Sequence, residues 1–188
     1  MAGTRSDTRE RILARAAALF AERGYHGVST DLLGAAVGIS GPGLYKHFPT
    51  KEALLGELLV SVSERLLTGG RERAARQAPP EDVLADLVDF HVAFALDDAD
   101  HIVIQERDWR HLREQDQRAV RQVQRAYVGV WTSVLAPLRP DLDAEQARAA
   151  VQAVFGLMNS TPHSLGRLPR AAMAALLRDL ALAALTAS

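Results

Sequence analysis

The sequence has no cysteine, only two lysines, and no long uninterrupted apolar run. Without cysteine there is no disulfide, no thiolate nucleophile and no Cys-based zinc site. The most apolar stretch, residues 171–188, is broken by Arg178 and Asp179, which argues against a transmembrane helix. The opening MAGTRSDTRERIL lacks the apolar centre of a signal peptide, so a cytoplasmic protein with no membrane partner is expected. No alternating apolar pattern reads as a strand, and neither a repeat nor a low-complexity segment interrupts the chain.

Enzyme signatures are missing as well. Gly38 to Pro42 reads GISGP, a near miss for a nucleophile elbow, but its fifth residue is proline and no strand precedes it. The six histidines include no pair at i, i+4 with a nearby glutamate, so no zincin pattern appears. Asp97, Asp98, Asp100 and His101 offer oxygen and nitrogen ligands, yet the same run serves as a helix boundary, the reading preferred here. No glycine-rich phosphate loop follows a strand. A non-enzymatic chain without metal or cofactor is expected.

What is present is helical. The 188 residues are 48% hydrophobic and 24% charged, ordinary for a folded soluble chain. The net charge of −1 is unevenly spread: residues 1–51 carry +3 and the remainder −4, and both lysines, Lys46 and Lys51, lie in the basic part. That asymmetry has the sign a DNA-binding segment needs. Ile12, Ala16, Leu19 and Phe20 form a buried stripe on a first helix that begins near Asp7 or Thr8, after a loose arm over residues 1–6.

The most informative stretch is Thr30 to Glu52, TDLLGAAVGISGPGLYKHFPTKE. Thr30 is placed to cap a short helix whose apolar side is Leu32, Leu33, Ala36 and Val37. Gly38 supplies a left-handed exit, and Ser40 caps a second helix opening Gly41-Pro42. Leu44 and Phe48 point inward, leaving Tyr45, Lys46 and His47 on the open side. Two short helices about a glycine turn are a helix-turn-helix, whose second helix enters a DNA major groove.

At these residues the chain resembles TetR-family transcriptional regulators. The resemblance is carried by Thr8, Arg9, Glu10, Ile12, Phe20 and Gly24 in the first helix. It continues through Ser29, Leu33, Gly38, Ile39, Ser40, Leu44, Tyr45, His47, Phe48, Lys51, Glu52 and Leu55. It covers about the first third of the chain. It implies that Tyr45, His47 and Lys51 contact the DNA backbone. Thr30, Ser40, Pro42, Gly43 and Lys46 complete the expected DNA-facing set. Gly41 and Gly43 stand where the family often carries a long basic and a hydroxyl residue, so base reading is expected to fall on Thr30, Asp31, Lys46 and DNA shape.

Lys51 opens a long helix, weakened at Gly69-Gly70 and closed by Pro79-Pro80, and the rest of the chain reads as helices. The expected fold is all-α, with about nine helices. A three-helix helix-turn-helix domain occupies residues 1–52, and a helical effector-binding and dimerisation domain occupies residues 53–188. In that second domain Phe90, His91, Phe94, Gln105 and Trp109 are candidate effector contacts, as are Tyr127, Trp131, Phe155, Asn159 and His163. An apolar cavity with a few polar anchors is what a small molecule needs, although these residues also suit a plain core. The DWRHL stretch (108–112), Tyr127, Trp131 and 159–163 resemble regulators of acyl-CoA and lipid catabolism, implying an acyl-CoA-like effector. The Ala/Leu-rich last two helices are expected to pair two copies. The sequence therefore reads as a homodimeric, ligand-released repressor on a palindromic operator. The alternative is a helical interaction module that no longer binds specific DNA.

Overall fold

Helical spacing of apolar residues, punctuated by Gly and Pro, accounts for the architecture directly. The computed structural model describes the backbone of residues 3–187 except 165 and 167, with side chains from Asp7 onward, and these residues contain no strand. Ten α-helices occur among them: α1 (Gly3–Arg23), α2 (Thr30–Val37), α3 (Gly41–Leu44), α4 (Lys51–Ala74), α5 (Pro80–Asp97), α6 (Ala99–Asp108), α7 (Glu114–Leu135), α8 (Ala144–Met158), α9 (Thr161–Ser164) and α10 (Arg170–Thr186). A 3-10 turn, Trp109–His111, follows α6.

The chain folds as two compact units, Met1–Val62 with Asp100–Val120, and Ser63–Ala99 with Arg121–Ser188. Helices α4 and α7 each contribute residues to both. In the first unit Ile12, Ala16 and Phe20 of α1 are buried with Leu33, Leu44, Phe48 and the α4 residues Leu54, Leu55 and Leu58. Ile104 and Leu112 close this core. In the second, Leu84, Leu87 and Val88 of α5 meet Trp131 and Leu135 of α7, Val151 and Met158 of α8, and Leu177 and Ala181 of α10. Each large apolar side chain so buried contributes roughly 1.5–3 kcal/mol relative to exposure.

Local structure departs from the sequence reading at four points. The cap of α2 is Ser29, whose hydroxyl accepts from the Leu32 amide at 3.1 Å, while Thr30 is the first helical residue. Helix α1 already begins at Gly3, so residues 3–6 are not a loose arm; residues 1–2 and the Arg5 side chain lie outside the described residues. Ala36 faces outward. Helix α4 runs unbroken through Gly69 and Gly70 to Ala74. Asp143 caps α8 in a complete capping box with Gln146.

Candidate nucleic-acid interface and candidate effector core

The two short helices of the first unit are held by their own termini. Gly38 adopts φ 77°, a left-handed exit that only glycine takes without cost, and its amide and that of Ile39 cap carbonyls of Ala35 and Gly34. Ser40 caps α3 by accepting from the Gly43 amide at 3.1 Å. Of the expected DNA-facing residues, Ser40, Pro42, Tyr45 and Lys46 are exposed, while Thr30, Gly43, His47 and Lys51 are half-buried. Tyr45, at 50% exposure, is one of the few large apolar side chains left in solvent.

Lys51 has structural work that its sequence position did not reveal. Its ammonium donates to the carbonyls of Tyr25 and Val28, both at 2.9 Å, and lies 4.1 Å from the Tyr25 ring centroid. Two of its three N–H donors thus fasten the α1–α2 connection to the start of α4, leaving one to point elsewhere. Arg9 is an anchor that no local pattern announces. It donates to Glu57 through Nε at 2.7 Å and to the His47 carbonyl at 2.6 Å, and it stacks 4.3 Å over Phe48. Arg11 donates to the Val37 carbonyl at the end of α2, at 3.1 Å. Cations at helix C-termini satisfy orphan carbonyls and complement the helix dipole.

A second clasp joins the end of α1 to the end of α6. Arg107 donates to the carbonyls of Ala21, at 3.1 Å, and Phe20. The buried Asp108 accepts from the Tyr25 amide at 3.3 Å and pairs with Arg107 at 3.2 Å. The Tyr25 ring stacks on His111, centroids 4.5 Å apart, and its hydroxyl donates to Glu52. Burial, then the Glu52 hydrogen bond and charge, push the Tyr25 phenol well up; the same hydrogen bond holds Glu52 below the usual carboxylate range. Gln105 and Trp109, expected among the effector contacts, belong to this first unit, where Trp109 packs against the core of α1 and α4.

The second unit gathers five of the expected effector residues around the imidazole of a sixth, His91. His91 is buried, stacked on Phe155 with centroids 4.6 Å apart, and edge-on to Phe94 and Trp131 at 5.6 and 6.0 Å. Its Nδ1 lies 3.3 Å from the Tyr127 hydroxyl and its Nε2 3.1 Å from Asn159 Oδ1. An amide oxygen only accepts, so Nε2 carries the hydrogen, and Nδ1 accepts from the Tyr127 hydroxyl. Burial lowers the His91 pKa to about 4, the Asn159 hydrogen bond opposing it, so the ring is neutral near pH 7. Burial also pushes the Tyr127 phenol up. His163 is exposed on α9.

Helix α4 supplies this cluster with bare backbone. A Cβ on Gly70 would lie 2.6 Å from the Tyr127 ring, and one on Gly69 would fall inside the Phe90 ring's contact radius. The rings occupy the space that side chains would take, which explains a helix that continues through two glycines. Phe90 is also stacked by the Arg73 guanidinium at 3.9 Å, and Arg73 is neutralised by Asp86 at 3.4 Å.

Elsewhere, Asp97 is paired with Arg170 at 2.7 Å and Asp98 with Arg65 at 3.4 Å. Among the described residues, no group of three or more His, Asp or Glu is arranged to hold a metal. None of their helices is long and apolar enough to cross a membrane. On α10, Met173, Leu177, Ala181 and Leu185 point inward, while Leu176 and Leu180 are 45% and 46% exposed. On α8 the outward side carries Ala149, Ala153 and Gly156, with open space beyond Gly156.

Comparison with known proteins agrees with this architecture. Residues 12–58 match the family described as bacterial regulatory proteins, tetR family, and residues 77–185 match the tetracyclin repressor-like C-terminal domain. The HTH-type transcriptional regulator CymR of Pseudomonas putida is 32% identical over 134 residues, covering 69% of this chain and 66% of CymR. A TetR-family regulator from Bordetella parapertussis 12822 superimposes with TM-score 0.80 at 27% identity, covering 93% of each chain. AibR, solved with isovaleryl coenzyme A and operator DNA, shares the fold: TM-score 0.76 at 19% identity, over 92% of this chain and 97% of AibR.

Proposed function

The chain belongs to the TetR family of bacterial regulatory proteins, and on that footing we propose that it is a homodimeric repressor, released from a palindromic operator by a small apolar or acyl-CoA-like effector. One observation carries the reading: α4 supplies Leu54, Leu55 and Leu58 to the core beneath the helix-turn-helix and Gly69 and Gly70 to the seat of Phe90 and Tyr127. A single continuous helix therefore runs through both regions. The functional division assigned is residues 1–52 for DNA and 53–188 for effector and dimerisation. Such a regulator acts on the chromosome, in the cytoplasm.

In this mechanism Tyr45, Lys46, His47 and the remaining donor of Lys51 meet phosphates, which positions the reading helix without specifying sequence. Two copies pair through the outward Leu176 and Leu180 of α10 and the small residues of α8. That pairing sets the two α3 helices for successive major grooves, about 34 Å apart. An apolar effector entering among Phe94, Trp131 and Phe155 displaces the rings seated on Gly69 and Gly70 and tilts α4. AibR, whose solved complex holds isovaleryl coenzyme A and operator DNA, lends support to an acyl thioester. A 100-fold loss of DNA affinity requires only ~2.7 kcal/mol of differential effector binding between the two poses of α4.

The test is titration of the purified protein onto DNA flanking its own gene, at two salt concentrations, against random duplex. Tight, competitor-resistant binding by two subunits, relieved by acyl-CoA thioesters, is expected. Binding no stronger than to random duplex would favour the interaction-module reading, whose support is a reading helix that opens with Gly41, Pro42 and Gly43.

A further inference from the structure

In a helix-turn-helix, the first residues of the second helix lie over the base edges and supply the groups that read them. Here those residues are Gly41, Pro42 and Gly43, which carry no side-chain donor or acceptor. The Ser40 hydroxyl just before them already accepts from the Gly43 amide. The position is nevertheless not empty of chemistry. A Cβ built on Gly41 would stand 3.3 Å from the carboxyl carbon of Asp31, and Oδ1 would be closer still. The carboxylate of α2 thus occupies the space that the side chain of residue 41 would fill. Asp31 is exposed, and it makes no hydrogen bond or ion pair with another described residue.

Resting on the DNA-binding reading above, we propose that Asp31 is a base-reading residue of this protein, its carboxylate standing in for the missing side chain of Gly41. The chemistry narrows its target. An ionised carboxylate only accepts, and in the major groove the base that offers a donor without a competing purine N7 acceptor beside it is cytosine, through its N4 amine. Guanine and thymine turn only acceptors or a methyl group toward the carboxylate, and adenine sets its N7 acceptor beside its N6 amine, all next to phosphates that already repel it. Asp31 therefore discriminates more than it attracts. It opposes binding to DNA in general and is compensated only at the right base, which is specificity by exclusion. Gly41 is required because any side chain there would evict the carboxylate.

The experiment selects bound duplexes from a synthetic pool randomised over roughly 20 base pairs, enough for two half-sites one turn apart. Wild type, Asp31→Asn and Gly41→Ala are compared, with circular dichroism as the check on folding. Wild type should enrich a palindrome with C·G at one symmetric position of each half-site, and replacing that pair should weaken binding about tenfold. Asp31→Asn should enrich A·T at that position alone, because an amide both donates and accepts, and should bind random duplex more tightly than wild type. Gly41→Ala should lose the cytosine preference there while keeping the rest of the motif. A wild-type motif that both variants select unchanged, or that both weaken equally at every position, would overturn the assignment and leave the regulator standing. If Asp31→Asn does not fold, Gly41→Ala alone decides between these outcomes. Failure of wild type to enrich any motif would overturn the regulator reading and this inference with it.

Discussion

In the first unit, cations tie backbone carbonyls at helix ends and in the connection between helices: Arg11 on Val37, Arg107 on Ala21 and Phe20, and Lys51 on Tyr25 and Val28. In the second unit the central polar group is a neutral imidazole, shut in by Phe94, Tyr127, Trp131 and Phe155. Under the proposed function the difference follows from what each part would meet. A surface that approaches phosphates uses half-exposed charges, which hold helices together and still leave donors outward. A core that admits an apolar guest must be desolvated, and a charge there would cost more than its partners return. The first region should therefore respond to charge removal and salt, the second to pH and volume.

The largest expected effect lies in the second unit and comes from protons. An unfolded histidine titrates near 6.5, whereas folded His91 titrates at about 4. Below 6.5 the unfolded chain binds a proton that the folded one refuses, so this contribution is intact above pH 6.5 and is lost as pH falls toward 4. The loss amounts to roughly 3 kcal/mol, read by urea unfolding across that window. His91→Phe should flatten the slope between those values. An equal slope in the variant would mean that the acid sensitivity arises elsewhere.

Volume comes next. Alanine for glycine inside a helix ordinarily stabilises by up to about 1 kcal/mol. Gly129→Ala, with open space at its Cβ, should behave that way. Gly70→Ala should instead destabilise by about 1–2 kcal/mol, because its Cβ would meet the Tyr127 ring at 2.6 Å. Thermal unfolding of the two variants checks the opposite signs, and equal shifts would break the claim that the rings bear on the α4 backbone.

The smallest effect probes the first unit. Lys51→Ala removes two charged hydrogen bonds at a half-exposed site and should cost about 1 kcal/mol of stability. If its third donor meets a phosphate, the magnitude of the salt slope of DNA binding also falls by about 0.9 per subunit. Loss of stability with an unchanged slope would confine Lys51 to the role of internal tie.

What the sequence determined by itself is local. Gly38 and Ser40 act within one turn of their own positions, so this exit and this cap were legible from residue type and spacing. Ser29 and Thr30 are adjacent hydroxyls, and choosing the wrong one as the cap shows how finely such signals resolve. Ile12, Ala16 and Phe20 were legible because helical periodicity repeats every turn. Tertiary structure alone decided that Arg107 and Asp108 clasp the end of α1, more than 80 residues away in sequence. It assigned Gln105 and Trp109 to the first unit, because α6 packs there. It also turned Gly69, Gly70 and Gly41 from weak points into seats for Phe90, Tyr127 and the Asp31 carboxylate. A glycine announces only that a side chain is absent. Which distant group fills the space depends on how the helices pack, and no local pattern records it.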